Sequence, residues 1–235
     1  MKAIFKREVR SYFSSPVGYV CVSVLMALYG FYYYLAMLNS SSSYISSVFA
    51  TMFSFSMMII PIITMRSMCD DQKNKTDQAL LTAPVGVTAI VLGKFFACCF
   101  VYFVATTLGG ILPALAMSAF SSPAWGEVIG NYIGALLYGA AMISIGVFIS
   151  SLTISQIIAA IGTFVISVVL MYLDSLAQAI SNQAISTVIQ WLSFNDRYST
   201  FTQGMFSISS VIFFVSVAAV FVFLTARKVE SRRWS

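Results

Sequence analysis

The chain has 235 residues, 59% hydrophobic and 9% charged, against about 25% charged for an average soluble domain. It cannot cover a globular surface with polar groups, which points to an integral membrane protein and leaves no room for a separate soluble catalytic domain. The excess of 13 Lys and Arg over 8 Asp and Glu gives +5, but the cations cluster at the ends of apolar runs, a pattern that sets membrane topology rather than one that binds nucleic acid.

Residues 1–16 come first. Ile4, Phe5, Val9, Tyr12 and Phe13 can share one helical face, with Lys2, Lys6, Arg7 and Arg10 on the other. This pattern predicts an interfacial helix with its cations near anionic headgroups. Ser14, Ser15 and Pro16 break it. The apolar run over 17–38 is too long for a signal-peptide core and lacks a cleavage site, so it is span one. Span two is predicted over 47–64, after the uncharged loop Ser40 to Ser43, with Pro61 near its end.

A polar stretch, 66–94, separates span two from span three at 95–116. Span four is predicted over 128–149, after a turn at 121–125. Gly126, Gly130 and Gly134 form a repeated GxxxG that admits a close helix neighbour, with packing inside one subunit favoured over a subunit interface. Span five is predicted over 157–173. Residues 174–207 are moderately apolar with three charges, and patches such as Ile185, Val188, Ile189 and Leu192 suggest short helices dipping into the interface. Span six is predicted over 208–225.

Six crossings place both termini on one side of the membrane. That side receives Lys2, Lys6, Arg7, Arg10, Arg66, Lys73, Lys75, Lys94, Arg227, Lys228, Arg232 and Arg233, whereas the other receives only Arg197. At about 1 kcal/mol per basic residue near an anionic leaflet, the asymmetry assigns both termini and 66–94 to the cytoplasm and 174–207 to the outside.

The chemistry missing from the chain narrows the function. There is no histidine, so the commonest general base and metal ligand is missing. Cys21, Cys69, Cys98 and Cys99 have no CxxC spacing and read as free thiols. Glu127, Asp174 and Lys94 fall at predicted span ends, where they can snorkel to water, and an ion-coupled carrier would need acids at mid-membrane. Gly86, Gly93 and Lys94 faintly imitate a phosphate loop, but the spacing is wrong and Phe95 cannot hold magnesium. No cofactor is expected on this chain, and an energy source must come from a partner.

The stretch 66–94 suits such a contact. Residues 68–81 can form a helix mixing Asp70, Asp71, Lys73, Lys75 and Asp77 with apolar Met68, Ala79, Leu80 and Leu81, stopped by Pro84. It reads either as a mechanical coupling helix or as a solvated topogenic loop.

Here the chain resembles a known family. Pro61 to Ser67, Asp70 to Thr76, Leu80 to Val85 and Leu92 to Lys94 are similar to the type-2 ABC exporter permeases, nearest to a gliding-motility branch. So are Lys6-Arg7-Glu8, Tyr12 to Tyr19, and Ser151-Leu152-Thr153 with Gln156. The resemblance implies an all-α integral membrane protein of six transmembrane helices forming one domain over 1–235. It also implies an amino-terminal interfacial helix, a cytoplasmic coupling helix, and short extracytoplasmic helices before the last span. Two ATPase copies carrying ATP and Mg would pair with this permease and a second one, identical or homologous, in a bacterial plasma membrane. Membrane lipid would surround them, with room for an accessory extracytoplasmic subunit.

Arg66, Asp70, Asp71, Lys73, Lys75, Thr76 and Lys94 would form the ATPase-coupling region, with Arg66 and Lys94 at the membrane boundary. Spans one, two and five, with Tyr29 and Phe31 to Tyr34, would line a path for amphipathic, lipidic or peptide cargo, unless those aromatics are only an interfacial belt. The family pattern has two glutamates and a Gly-Thr pair where this chain has Asp70, Asp71 and Lys75-Thr76, and Gln78 replaces a common Glu. A non-transporting membrane anchor and a secondary carrier remain the other readings.

Overall fold

A computed structural model describes residues 1–38, 44–76, 86–118, 125–179, 183–203 and 205–232. The loop Ser40 to Ser43, the turn residues 121–124 and the stretch from Asp77 through Pro84 lie outside the described residues.

The described residues are helical in eleven α-segments and one π-turn. Helix α1 (Lys2–Ser14) is followed by α2 (Pro16–Leu38) and α3 (Tyr44–Lys73). Next come α4 (Val87–Thr106), the π-turn Thr107–Ile111 and α5 (Leu112–Met117), then α6 (Trp125–Leu152) and α7 (Gln156–Met171). The short helices α8 (Leu173–Ala179), α9 (Gln183–Trp191) and α10 (Phe194–Thr202) precede α11 (Ile208–Ser231). Among the described residues, five helices are long and apolar enough to cross a membrane: α2, α3, the run Val87–Ala116, α6 and α11. Predicted span five forms α7, a shorter apolar helix of 16 residues.

Two boundaries differ from expectation. Helix α3 does not end at Thr64 but continues through Lys73. Its polar end costs the helix little, since Arg66 and Asp70 meet at 2.9 Å across one turn, the spacing that supports a helix. Likewise α4 begins at Val87, after an extended Gly86, so Lys94 lies two turns inside a helix rather than at its mouth.

Helices α3 and α6 form the centre. α3 packs on α6, α7 and α2, while α11 lies on the other side of α6, and α1 rests on α4. Close approach depends on glycines. A Cβ on Gly139 would strike the ring of Tyr102, one on Gly146 would strike Thr64, and one on Gly134 would come within 2.8 Å of Phe201. Gly130 lies near the Phe201 carbonyl, and a Cβ on Gly126 would meet nothing within 4 Å. Within this chain the GxxxG face therefore receives α10 rather than another long helix.

Pro113 explains the π-turn. It has no N–H and its ring crowds the carbonyl four residues back, so the backbone widens over Thr107–Ile111, as π-bulges do inside longer helices. The Gly110 carbonyl accepts a hydrogen bond from the Tyr33 hydroxyl at 2.9 Å, and Gly109 lies against the Tyr29 ring. The second buried cluster, with Tyr29, Tyr33, Phe49 and Met52, forms around this turn.

Gly146→Ala should destabilise the protein by about 1–3 kcal/mol, because Thr64 is fully buried and cannot retreat. Gly126→Ala should stay within about 0.5 kcal/mol. Thermal unfolding of the two variants in detergent checks the contrast.

Candidate functional site

One end of the bundle concentrates the charge. Its centre is Lys94, 3% exposed, whose Nζ lies 2.5 Å from Asp71 and 3.3 Å from Glu8. It also donates to the Ser67 carbonyl at 2.5 Å. Arg7 pairs with Glu8 at 2.7 Å and with Asp71 at 3.4 Å. The hydrogen bond to Glu8 outweighs partial burial and, with the field of both carboxylates, raises the Arg7 pKa above its usual value. Three helices, α1, α3 and α4, are thereby joined through one network. Snorkelling to water, expected for Lys94, is replaced by pairing, the usual solution for a buried cation.

Tyr12 reinforces the junction from α1. Its hydroxyl donates to the Ile63 carbonyl at 2.7 Å and lies 3.3 Å from the Cys98 sulfur. Burial, with Cys98 adding to it, pushes its pKa well above the ordinary range, so the phenol keeps its proton. Gly18 starts α2 under the Tyr12 carbonyl, too close for any side chain.

The last turn of α6, with the connection that follows it, meets α3 from the opposite side. The Ser150 hydroxyl donates to the Met65 carbonyl at 3.1 Å and accepts from the Met68 and Cys69 amides at 3.1 and 3.2 Å. It lies against the backbone of α3 where that helix turns polar, and α3 continues unbroken past it. The Cys69 thiol reaches the Ser150 and Thr153 carbonyls. Gln156, the first residue of α7, donates to Asp70, which also holds Arg66, and Arg66 donates to Ser15 at 2.6 Å. Gln72 and Arg232 both donate to the Ser151 carbonyl, at 3.3 and 2.6 Å. The start of the chain and the end of α11 therefore lie at the same end of the bundle.

The seven polar residues singled out from sequence do not share one environment. Arg66, Asp70, Asp71 and Lys94 are tied into the network, whereas Lys73 and Lys75 are exposed. Thr76 donates to the Asp71 carboxylate at 2.6 Å and closes the turn after α3. Lys75 occupies the left-handed region at φ 57°, a conformation that glycine adopts without penalty. Glu8, Ser150 and Arg232 were not singled out as site residues. Glu8 follows Arg7 in a segment read for its cations, and a serine between apolar helices carries no mark of its partner.

A cavity of about 320 Å³ opens at this end between α1 and the end of α3, lined among others by Arg7, Arg66, Asp70 and Asn74. The aromatics of α2 divide between two surroundings. Tyr29 and Tyr33 are buried in the bundle, whereas Phe31 and Tyr34 face outward. No cluster of three or more metal-binding side chains occurs among the described residues.

These features define a multi-pass helical membrane protein whose long helices are clamped together at one polar end. The chain belongs to the ABC-2 family transporter proteins, whose family model matches residues 2–229. No curated protein matches it. It is thus the transmembrane permease subunit of a transporter, in a family whose members work with an ABC ATPase and are generally not catalytic themselves.

Lys94→Met would take the shared cation from the half-buried Glu8 and Asp71, leaving them only Arg7, and should lower stability by about 1–3 kcal/mol. Adding Asp71→Asn should cost less than the sum of the two single changes, because both act on one pair. A double-mutant cycle on unfolding in detergent measures the coupling.

Proposed function

We propose that the chain is the permease of an ATP-driven exporter of amphipathic, lipidic or peptide cargo, moved by a separate ATPase that docks at the polar end. The observation carrying this reading is the unbroken α3. A helix buried through the bundle emerges as the exposed Lys73–Lys75 tip, while α1, α4 and the last turn of α6 grip its base. A load applied to the tip or to the segment after it is delivered to all three neighbours at once. The charge asymmetry of the sequence supports a cytoplasmic position for this end and for both termini, in a bacterial plasma membrane.

Six crossings suit the same reading. Helix α7 starts beside Asp70 at the polar end, and α8 starts with Asp174 hydrogen-bonded to Asn195 at 3.0 Å near the other end. At 1.5 Å per residue, its 16 residues span about 24 Å, close to the ~30 Å of a bilayer core, and α8 to α10 then belong outside. The working unit is two permeases, identical or homologous, with two ATPases that hold ATP and Mg. Accessory extracytoplasmic subunits and descent from the gliding-motility branch are further expectations from the resemblance.

The test should spare the network, since replacing Asp71 would disturb folding and coupling together. Lys73→Glu with Lys75→Glu changes only exposed charge. In the purified complex with its ATPase, this pair of changes should reduce permease-stimulated hydrolysis at least fivefold with the melting temperature unchanged. Unaltered stimulation would remove ATPase contact from this tip and favour a membrane anchor.

A further inference from the structure

A second cavity, of about 500 Å³, lies on the outer side of the junction between α1 and α4. It is within the ~300–1,000 Å³ of small-molecule sites. Its wall on α4 is Phe96, Cys99, Phe100 and Phe103, a stripe at helical spacing whose three rings remain about two-fifths exposed. Its roof is Phe5, set edge-on to Phe100 with ring centroids 5.9 Å apart. The roof is fixed, because Ile4 seats so closely on Gly93 that an added Cβ would lie 3.0 Å away.

Charge is distributed unevenly around this roof. Arg7 and Glu8 are spent inward on Asp71 and Lys94. Lys2, Lys6 and Arg10, four residues apart, are exposed and pair with no carboxylate among the described residues. Lys2 itself stands at the groove. An apolar slot along a membrane helix, with Lys2 at its mouth and Lys6 one turn further along α1, has the two-part character of a phospholipid with a negative headgroup.

We infer that the α1–α4 groove is a binding site for an anionic diacyl phospholipid, one acyl chain lying along Phe96–Phe103 and the phosphate meeting Lys2 and Lys6. The inference rests on α1 lying at the membrane surface, as the proposed function requires. Apolar contact alone does not select this site, because any lipid tail already sits among tails. Selection comes from the headgroup, at roughly fivefold per cation near the surface.

The experiment uses the permease–ATPase complex in nanodiscs of equal phosphatidylglycerol and phosphatidylcholine, one or the other carrying a photoreactive acyl chain. Crosslinks mapped to Phe96–Phe103 should come from phosphatidylglycerol about fivefold or more over phosphatidylcholine. Lys2→Gln with Lys6→Gln, both exposed, should reduce the excess below twofold without changing the melting temperature. Equal labelling by both lipids, or a preference that survives the double change, overturns the inference. A headgroup-tethered probe separates the two ideas. If it fails to reach α1 at all, the interfacial placement falls and the site falls with it. If it labels α1 equally from both lipids, only the site falls.

Discussion

A buried lysine cannot stand alone in a membrane protein, and the arrangement of this chain follows from how Lys94 is accommodated. Its ammonium needs anions at close range, and they come from two different helices, Glu8 on α1 and Asp71 on α3. Such a pair adds little net stability over a well-packed apolar core, because desolvation offsets most of the attraction. What it adds is geometry. α1 cannot slide along α4, nor can α3 rotate, without leaving a charge unpaired in a poorly solvated place.

The opposite end of the bundle is held differently, by shape rather than charge. Tyr198 on α10 stacks on Phe53 with centroids 4.8 Å apart and donates to the Phe49 carbonyl, while Phe201 fills the space left by Gly134. Rings of this size contribute through apolar contact and edge-to-face or offset geometry, which yields more readily than an ion-pair network. The contrast separates an end locked by charge from an end packed by rings. It also gives the small-residue face of α6 a task inside this chain, against a helix whose modest apolarity hid it from a search for spans.

Much of this was legible in the sequence, for a physical reason. A long apolar run in a membrane can satisfy its backbone only as a helix, so hydropathy places the long helices, and the short segments after α7 follow from intermediate apolarity. Boundaries were harder to read. A cluster of charges looks like the end of a helix, yet α3 passes from Thr64 to Lys73 without interruption because Arg66 and Asp70 support each other along its side. The partners of Lys94 were hidden as well. Glu8 and Asp71 are 86 and 23 residues away from it in the chain, and pairing across that distance leaves no local pattern. Ser150 is more opaque still, since its importance lies entirely in what faces it.

Ser150 also shows how the polar end of α3 is fastened to α6. A hydroxyl placed among the Met65 carbonyl and the Met68 and Cys69 amides offers those groups a partner on α6. These contacts tie the backbone of α3 to α6 while α3 itself stays continuous. Above this point α3 is buried against α6; below it, the ion pairs with α1 and α4 and the Gln156–Asp70 contact hold the polar tip. Adjacent carboxylates on one helix thus hold two different neighbours, α7 through Asp70 and α1 through Asp71.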